Sequence, residues 1–427
     1  MSSENNSPAR KVLLSGLIGN VMEGYDFTVF GYFAAIIGSQ FFPTKSATSS
    51  LLIAFAAFAI GYLVRPFGGI LFGRIADKTG RRRAMVLSVV AMTVPTVLMA
   101  LLPTKAQIGI VAPIAVVLLR IIQGLAAGGE YTTAIVFLAE NAPPKRRGFF
   151  AIWGLWGSVL GMLMASGFGA FLAKALTSEQ LETWGWRIPF AIGALIALAG
   201  VLVRNGMSED NLQSKVKSPI RLTFGRYRLD VLRVIGINIA SSVAYFSAFV
   251  YAVSYIEDID KLEVGTALTL NNQAMCLLLL LYPLAALVSD YIGRKPMLLS
   301  GAALLCIGGL PIFQLMHSQD PHLILRGEIA LTVAVALLAG GKNPANVELM
   351  PAAIRCTGLA VAFNIAEGCF GGTTPFISAW LISETGNPLL PGAWVALSGL
   401  VTLLTVLFFT QETAFKALAS NGDQTNH

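Results

Sequence analysis

Seven ionisable side chains fall inside stretches of this sequence that are otherwise apolar: Glu23, Asp26, Arg65, Arg120, Glu130, Lys342 and Glu367. A carboxylate in such surroundings answers to two opposed influences, since desolvation raises its pKa and a neighbouring cation lowers it. A group that moves between the two environments can take a proton in one and release it in the other. Glu23 and Asp26 are three residues apart and share roughly one face of a helix. At a rise of about 1.5 Å per residue, Arg120 reaches a similar depth in its own segment. Asp26 is therefore the expected proton carrier, Glu23 the second choice and Glu130 a relay. The planar fork of Arg120 offers two parallel charge-assisted hydrogen bonds to a carboxylate. Lys342, in "LLAGGKNPAN", adds a second cation in the other half of the chain, and Glu367 at similar depth is its expected partner. Ion pairing between helices with no further role is the competing account of the set, above all for Arg65 and Glu130.

Those charges need elements to hold them, and the composition says what surrounds the elements. Of 427 residues, 55% are hydrophobic and 12% charged, and the mean hydropathy is +0.69. A soluble chain carries about a quarter charged residues, so this surface faces lipid. Apolar runs of roughly 20 residues, long enough to cross a hydrocarbon core as helix, are expected near 13–40, 51–73, 84–102, 109–139, 148–174 and 187–204. Six more follow near 231–256, 267–290, 296–316, 327–350, 357–382 and 391–411. The alternation of a β-barrel is missing, so an all-α membrane protein is expected, with helices satisfying the backbone. The opening residues are polar and read without an early cleavable signal. Basic residues crowd the segments that a cytoplasmic N-terminus places inside, including Arg81–Arg83, Lys145–Arg147 and Arg294–Lys295. Both termini are then cytoplasmic by the positive-inside rule. The net charge of +7 needs no nucleic acid to explain it. Cys276, Cys306, Cys356 and Cys369 read as free thiols, and the histidines lack metal-ligand spacing. No metal and no cofactor are expected.

The longest polar stretch between spans, 205–230, divides six helices from six. The expected units are an N-terminal bundle over 1–204, a cytoplasmic linker over 205–230 and a C-terminal bundle over 231–427. Short motifs recur in both. Gly73, Asp77 and Arg81 close the second helix, and Asp290 and Arg294 close the eighth. Glu140-x-x-Pro143-x-x-x-Arg147 follows the fourth helix and Glu348-x-x-Pro351-x-x-x-Arg355 the tenth. The offsets, Asp77 to Asp290 and Glu140 to Glu348, are 213 and 208 residues. Two matches in register argue for internal duplication, a mark of carriers built from repeats.

Gly73 to Arg83 resembles the loop 2–3 signature of the major facilitator superfamily, and Arg120-Ile-Ile-Gln123-Gly124 its helix 4 signature. "GNVMEGYDF", "GLAAGGEY", "WGWRIPFAIGAL", "VRPFGG" and "FGGTTP" resemble the metabolite:proton symporter family, whose members carry citrate, 2-oxoglutarate, shikimate, proline and betaine. The resemblance spans essentially the whole chain. It implies two six-helix bundles, alternating access, proton-driven uptake and a multi-pass place in a bacterial inner membrane. It also implies that Asp77 caps a helix of the opposite half when the cytoplasmic side is shut. Arg81 and Glu140 complete that gate, with Asp290, Arg294, Glu348 and Arg355 as its copy; Arg147 belongs to the same set.

The expected cavity liners around Arg120 are Tyr25, Phe27, Gln123, Tyr131, Trp153, Trp156, Asn238, Tyr245, Tyr251 and Asn364. Packing alone is the rival account of the aromatic ones. Trp153 and Trp156 lie three apart between glycines, and an aromatic cage would favour a quaternary ammonium. A ligand with two or three carboxylates would instead bridge Arg120 and Lys342 and bind the occluded state best. The expected activity is proton-coupled uptake of a small di- or tricarboxylate by a monomer in the bilayer. The alternative is uptake of a zwitterionic osmolyte such as proline or betaine, and a non-transporting receptor ranks lower. An enzyme lacks its catalytic set here, and a channel its filter loop.

Overall fold

The computed structural model describes residues 7–416 and 418, apart from 80, 141, 206–218 and 352–353. The side chains of 7–16, 18, 73, 74, 76–79, 81–85, 130, 133, 137, 199–205 and 219 also lie outside the described set. Twelve membrane helices follow in order. We label α1 Ser7–Tyr32, α2 Ala47–Leu63 continuing as Arg65–Thr79, α3 Arg81–Leu101, α4 Val111–Ala127 continuing as Glu130–Glu140, α5 Arg147–Ala175 and α6 Arg187–Asn205. The second half has α7 Arg228–Phe246 continuing to Asp258, α8 Val264–Ile292, α9 Arg294–Met316, α10 Pro321–Leu349, α11 Arg355–Ala366 continuing to Thr385, and α12 Leu390–Phe409. The linker carries a short helix, Pro219–Phe224, and α7 opens at Arg228, slightly ahead of the expected 231.

Burial sorts the helices into roles. In the most apolar stretch of α7, 89% of the residues are buried, against 33% in α12. Rows of exposed apolar side chains run along α3 (Leu87, Val90, Val94, Leu98), α6 (Leu195, Leu198), α9 (Ile307, Leu310) and α12 (Leu397, Leu400, Leu404, Phe408). These four helices face lipid; the others reach the centre, including α8, which shows Leu280 and Leu284 outward yet brings Tyr282 to the cavity. The halves meet chiefly where α2 touches α11 and where α5 touches α8. Advancing each number by six, modulo twelve, turns one pair into the other, as a duplicated six-helix unit requires.

Lipid tails are as apolar as leucine side chains, so close backbone approach does much of the holding between membrane helices. Glycine permits it where α1 crosses α5. A Cβ on Gly24 would meet the Ser158 carbonyl, and one on Gly161 the Val21 carbonyl and the Tyr25 amide. Two helices also carry five-residue π turns, Ser247–Tyr251 in α7 and Glu367–Gly371 in α11. Such turns re-aim side chains and gather at functional sites. Beyond α12, the Glu412 carboxylate accepts the backbone N–H groups of Arg294 and Lys295 at 2.9 and 3.0 Å and so caps α9. Burial pushes that carboxyl up, but the N–H donors outweigh it and hold it below the usual range.

Overpacking the α1–α5 crossing costs about 1–3 kcal/mol or more. Gly161→Val is expected to lower the thermal unfolding midpoint of the detergent-purified protein by several degrees. Gly167→Ala, whose new carbon meets nothing within 4 Å, is expected to leave it unchanged. Equal midpoints for the two variants would show that the close approach contributes nothing to stability.

Candidate functional site

A cavity lies between the halves, lined by Glu23, Phe27, Phe58, Tyr62 and Arg65 from α1 and α2, and by Tyr131 and Met162 from α4 and α5. From the second half come Ser242, Tyr245 and Phe246 of α7, Tyr282 of α8, Lys342 of α10, and Phe363 and Glu367 of α11. About 60 Å³ is open to the centre of a water molecule, room for a handful of waters or one compact solute.

Each charge reaches the wall for a local reason. Pro66 has no N–H to give, and α2 pauses at Val64, where Arg65 turns inward and pairs with Glu23. Its guanidinium also lies 4.5 Å from the Tyr62 ring centre and 4.8 Å from that of Phe27. In α10, Gly340 and Gly341 press on the backbones of α8 and α9 at Ala285 and Arg294. The next residue, Lys342, is thereby carried round to the cavity side. The helix continues through Pro344 to Leu349 without the expected break. Glu367 opens the π turn of α11 and accepts a 2.6 Å hydrogen bond from the Ser242 hydroxyl.

The expected Lys342–Glu367 ion pair is corrected: among the described residues the two are not within ion-pair distance. The Lys342 ammonium is 5.7 Å from the centre of the Phe363 ring, and no described acceptor hydrogen-bonds it. Arg120 is likewise placed differently from expectation. It lies outside the cavity wall, fully buried, with its guanidinium 4.4–5.3 Å from the ring centres of Phe30, Phe27 and Phe58. The rings supply cation–π attraction where hydrocarbon offers none. Its Nη1 donates to Gln123 Oε1 at 3.0 Å. Gln123 Nε2 donates in turn to Asp26 Oδ2 at 2.7 Å and to Thr96 Oγ1 at 3.0 Å. The Thr96 hydroxyl donates to Asp26 Oδ1. Glu23 and Asp26 thus part company, one on the cavity and the other in a sealed cluster behind Phe27.

Of the other expected liners, Phe27, Tyr131 and Tyr245 are on the wall and the rest are not. Tyr25 donates to the Pro189 carbonyl at 2.9 Å and ties α1 to α6. Trp153 packs on Trp156, whose indole N–H donates to the Leu279 carbonyl across the α5–α8 seam. Asn238 exchanges amide hydrogen bonds with Asn346. Asn364 donates to the Gly128 carbonyl of the opposite half at 2.6 Å. Arg65, given mainly to ion pairing from sequence, is both paired and on the wall. Phe27 was expected beside Arg120, but Phe30 and Phe58, which complete its aromatic sleeve, were missed; Phe27 and Phe30, three apart on the face that carries Glu23, were the signal.

Contacts between the halves lie on both the outer and the inner side of the cavity. On the outer side, the Tyr32 hydroxyl shares its hydrogen between the Phe249 carbonyl and Asn271 Oδ1, both at 2.7 Å. On the inner side, Tyr131 stacks on Phe363 at 4.6 Å and donates to Asn343 Oδ1 at 3.3 Å. Below that, charges from both halves interlock. Arg355 donates to Glu140 at 2.8 Å. Glu348 accepts from Arg294 at 3.2 and 3.3 Å and lies 3.9 Å from Arg147. Asp290 accepts the first-turn N–H groups of α5, Gly148 and Phe149, both at 2.9 Å, where a carboxylate is favoured by the helix dipole. The expected acid at this role in the first half, Asp77, and with it Gly73, Arg81 and the relay Glu130, fall outside the described side chains.

The model for the family described as "Sugar (and other) transporter" matches residues 12–209 and 204–421. The chain is 31% identical over 425 residues to a glycine betaine/proline/ectoine/pipecolic acid transporter of Dickeya dadantii (strain 3937), covering 96% of this chain and 84% of that one. It is 31% identical to the proline/betaine transporter of Escherichia coli (strain K12), covering 96% and 85%. The chain belongs to the sugar (and other) transporter family of the major facilitator superfamily. A solved structure of that superfamily's proton:xylose symporter XylE superposes with a TM-score of 0.79 at 20% identity, over 97% of this chain and 98% of that one. An inward-open XylE from E. coli gives 0.73 at 20% identity, over 95% and 97%. These neighbours show the shared fold, two bundles of six helices. The family match and the bacterial relatives, not the fold likeness, make the chain a multi-pass transporter of the bacterial inner membrane and not an enzyme.

A hydrogen bond to a charged group contributes about 1.5–3 kcal/mol. Asp290→Asn removes the charge that caps α5 across the halves. Amide hydrogen exchange at Gly148 and Phe149 is expected to speed up by roughly tenfold or more. Unchanged exchange there would mean that the cytoplasmic seal does not depend on this carboxylate.

Proposed function

We infer that the transporter carries a small zwitterion inward with a proton, the alternative reading of the sequence, rather than a di- or tricarboxylate. One observation carries this: the cavity wall holds two cations, Arg65 and Lys342, and two carboxylates, Glu23 and Glu367. A site with balanced charge suits a ligand that is itself balanced. The substrate carboxylate goes to the unpartnered Lys342. Its ammonium goes to Glu367 and the rings of Tyr62, Tyr245, Phe246 and Tyr282, which favour a quaternary nitrogen. A tricarboxylate would meet Glu23 and Glu367 as like charges, and Arg120, the cation expected to hold it, is behind the wall. The relatives named as proline and betaine transporters support the same class.

Proton coupling is assigned to Asp26. Phe27 separates its cluster from the cavity, yet the guanidiniums of both Arg65 and Arg120 lie over its ring, at 4.8 and 4.6 Å from the centre. A substrate that draws Arg65 from Glu23 shifts the ring, and with it the Arg120–Gln123–Asp26 chain that favours the ionised carboxylate.

The test is a thermal-shift and counterflow comparison of glycine betaine and proline with citrate and 2-oxoglutarate. The zwitterions are expected to stabilise the protein and exchange across proteoliposomes. Lys342→Met is expected to fold and to weaken their binding by roughly 1.5–3 kcal/mol. Stabilisation and exchange by citrate alone would overturn the assignment. Separately, Asp26→Asn is expected to abolish accumulation driven by an inward proton gradient while exchange persists. Full accumulation by that variant would remove Asp26 from the coupling role.

A further inference from the structure

The outer seam contains a carboxyl with no evident partner. Glu328 lies about 10 Å below the outer start of α10 and is fully buried. Neither of its oxygens has a hydrogen-bond partner. The Asn271 side chain of α8 is within reach of it; one hydrogen of that amide goes to the Ala248 carbonyl at 2.6 Å, and the other is a neutral donor that carries no counter-charge. Tyr32 of α1 is in electrostatic contact with it, yet that hydroxyl is committed to the Phe249 carbonyl and Asn271. Among the described residues no cation from α1, α5, α7, α8 or α9 forms an ion pair with it. Lys342, on the same helix, is about 21 Å further along. The predicted span at 327–350 put Glu328 at its water-exposed edge, which is why the sequence did not single it out.

A carboxylate without a counter-ion is far more costly to bury than a neutral carboxylic acid. The seam that buries Glu328 is also the one that closes the cavity, since Tyr32 and Asn271 join the two halves there. We propose that Glu328 is a proton-binding group of the outer gate: its carboxyl is neutral when the seam closes over the cavity and ionises into outside water when the seam opens. The direction follows from linkage. The closed form holds one proton more than the open form, so closure is favoured at low outside pH and is lost as pH rises. Above the midpoint of the open form, the closed population falls by roughly tenfold per pH unit. This group stands apart from Asp26, which is sealed in its own cluster on α1. The inference rests on the reading of the chain as a carrier that closes around its substrate, not on the substrate class or on Asp26.

The test compares wild type with Glu328→Gln, which keeps shape and hydrogen-bonding capacity and stays neutral. Exchange of labelled proline and glycine betaine is measured in proteoliposomes at equal pH on both sides, from about pH 5 to about pH 9. Wild-type exchange is expected to fall up to roughly tenfold per unit on the alkaline side, and the variant to vary less than about twofold. Identical pH profiles would overturn the proposal, as would a well-folded Glu328→Gln protein that exchanges nothing at any pH. A second readout does not need a substrate. Lys174 and Glu263, exposed on opposite halves, line one outer hollow together with Glu257. With the four native cysteines replaced by serine, spin labels at Lys174 and Glu263 are expected to move apart as pH rises in the wild-type background and to stay close in Glu328→Gln. Glu257 is present in both proteins and cannot produce a difference between them. Equal responses would sink the gate role, whereas failure of wild type to exchange either zwitterion would count against the zwitterion substrate class alone.

Discussion

Hydrocarbon cannot solvate a charge, and the arrangement of the centre of this protein follows from that. Every guanidinium, ammonium and carboxylate between the bundles must find a counter-ion, a ring face, a hydrogen-bond donor or water. Arg120 finds three phenyl rings and an amide. Arg65 finds Glu23 and two rings. Asp26 finds Thr96 and Gln123. Among the charges left incompletely satisfied, three stand out: the ammonium of Lys342, the second oxygen of Glu23 and the carboxyl of Glu328. The first two belong to cavity residues and the third to the seam that closes the cavity.

The same constraint explains why closure at the two ends uses different chemistry. The cytoplasmic end is within reach of water, so full charges can be exposed and rehydrated at modest cost, and the seal is an interlocked set of carboxylates and guanidiniums. The outer seal at Tyr32 is deeper and uses neutral donors and acceptors, a hydroxyl, an amide and a backbone carbonyl. A neutral seal separates without leaving bare charges in lipid. Glu328 stands among these neutral groups, and protonation makes it one of them.

Depth was legible in the sequence and azimuth was not. A rise of about 1.5 Å per residue puts Asp26, Arg120, Lys342 and Glu367 near one level, and the repeated E-x-x-P-x-x-x-R spacing puts Glu140, Arg147, Glu348 and Arg355 at one gate. Which way each side chain points depends on helix rotation, and a central membrane helix is apolar nearly all round, so the pattern carries little rotational signal. Arg120 therefore reads as an anchor when it is wrapped in rings. Lys342 and Glu367 read as partners when a π turn aims the carboxylate at Ser242. Trp153 and Trp156 read as a cage when they line a seam. The twelve helices and the duplicated plan needed only length and spacing, so they came through intact.

Phe27 shows why the two carboxylates of α1 cannot share a task. Glu23 and Phe27 are four residues apart and face the same side of the helix, so the ring covers the side of the cavity on which Glu23 meets Arg65. Asp26, one residue earlier than Phe27, is turned by about 100° and enters the space between α1, α3 and α4, where Thr96 and Gln123 wait. The ring between them is a wall to water and a contact to both guanidiniums. A wall that excluded water and also ignored charge would isolate Asp26 from the cavity altogether. An open passage would let protons follow the substrate path at any time. In the proposed coupling, a ring in contact with both cations meets both demands, because a change of occupancy at Arg65 alters the electrostatic cost at Arg120 without any solvent crossing.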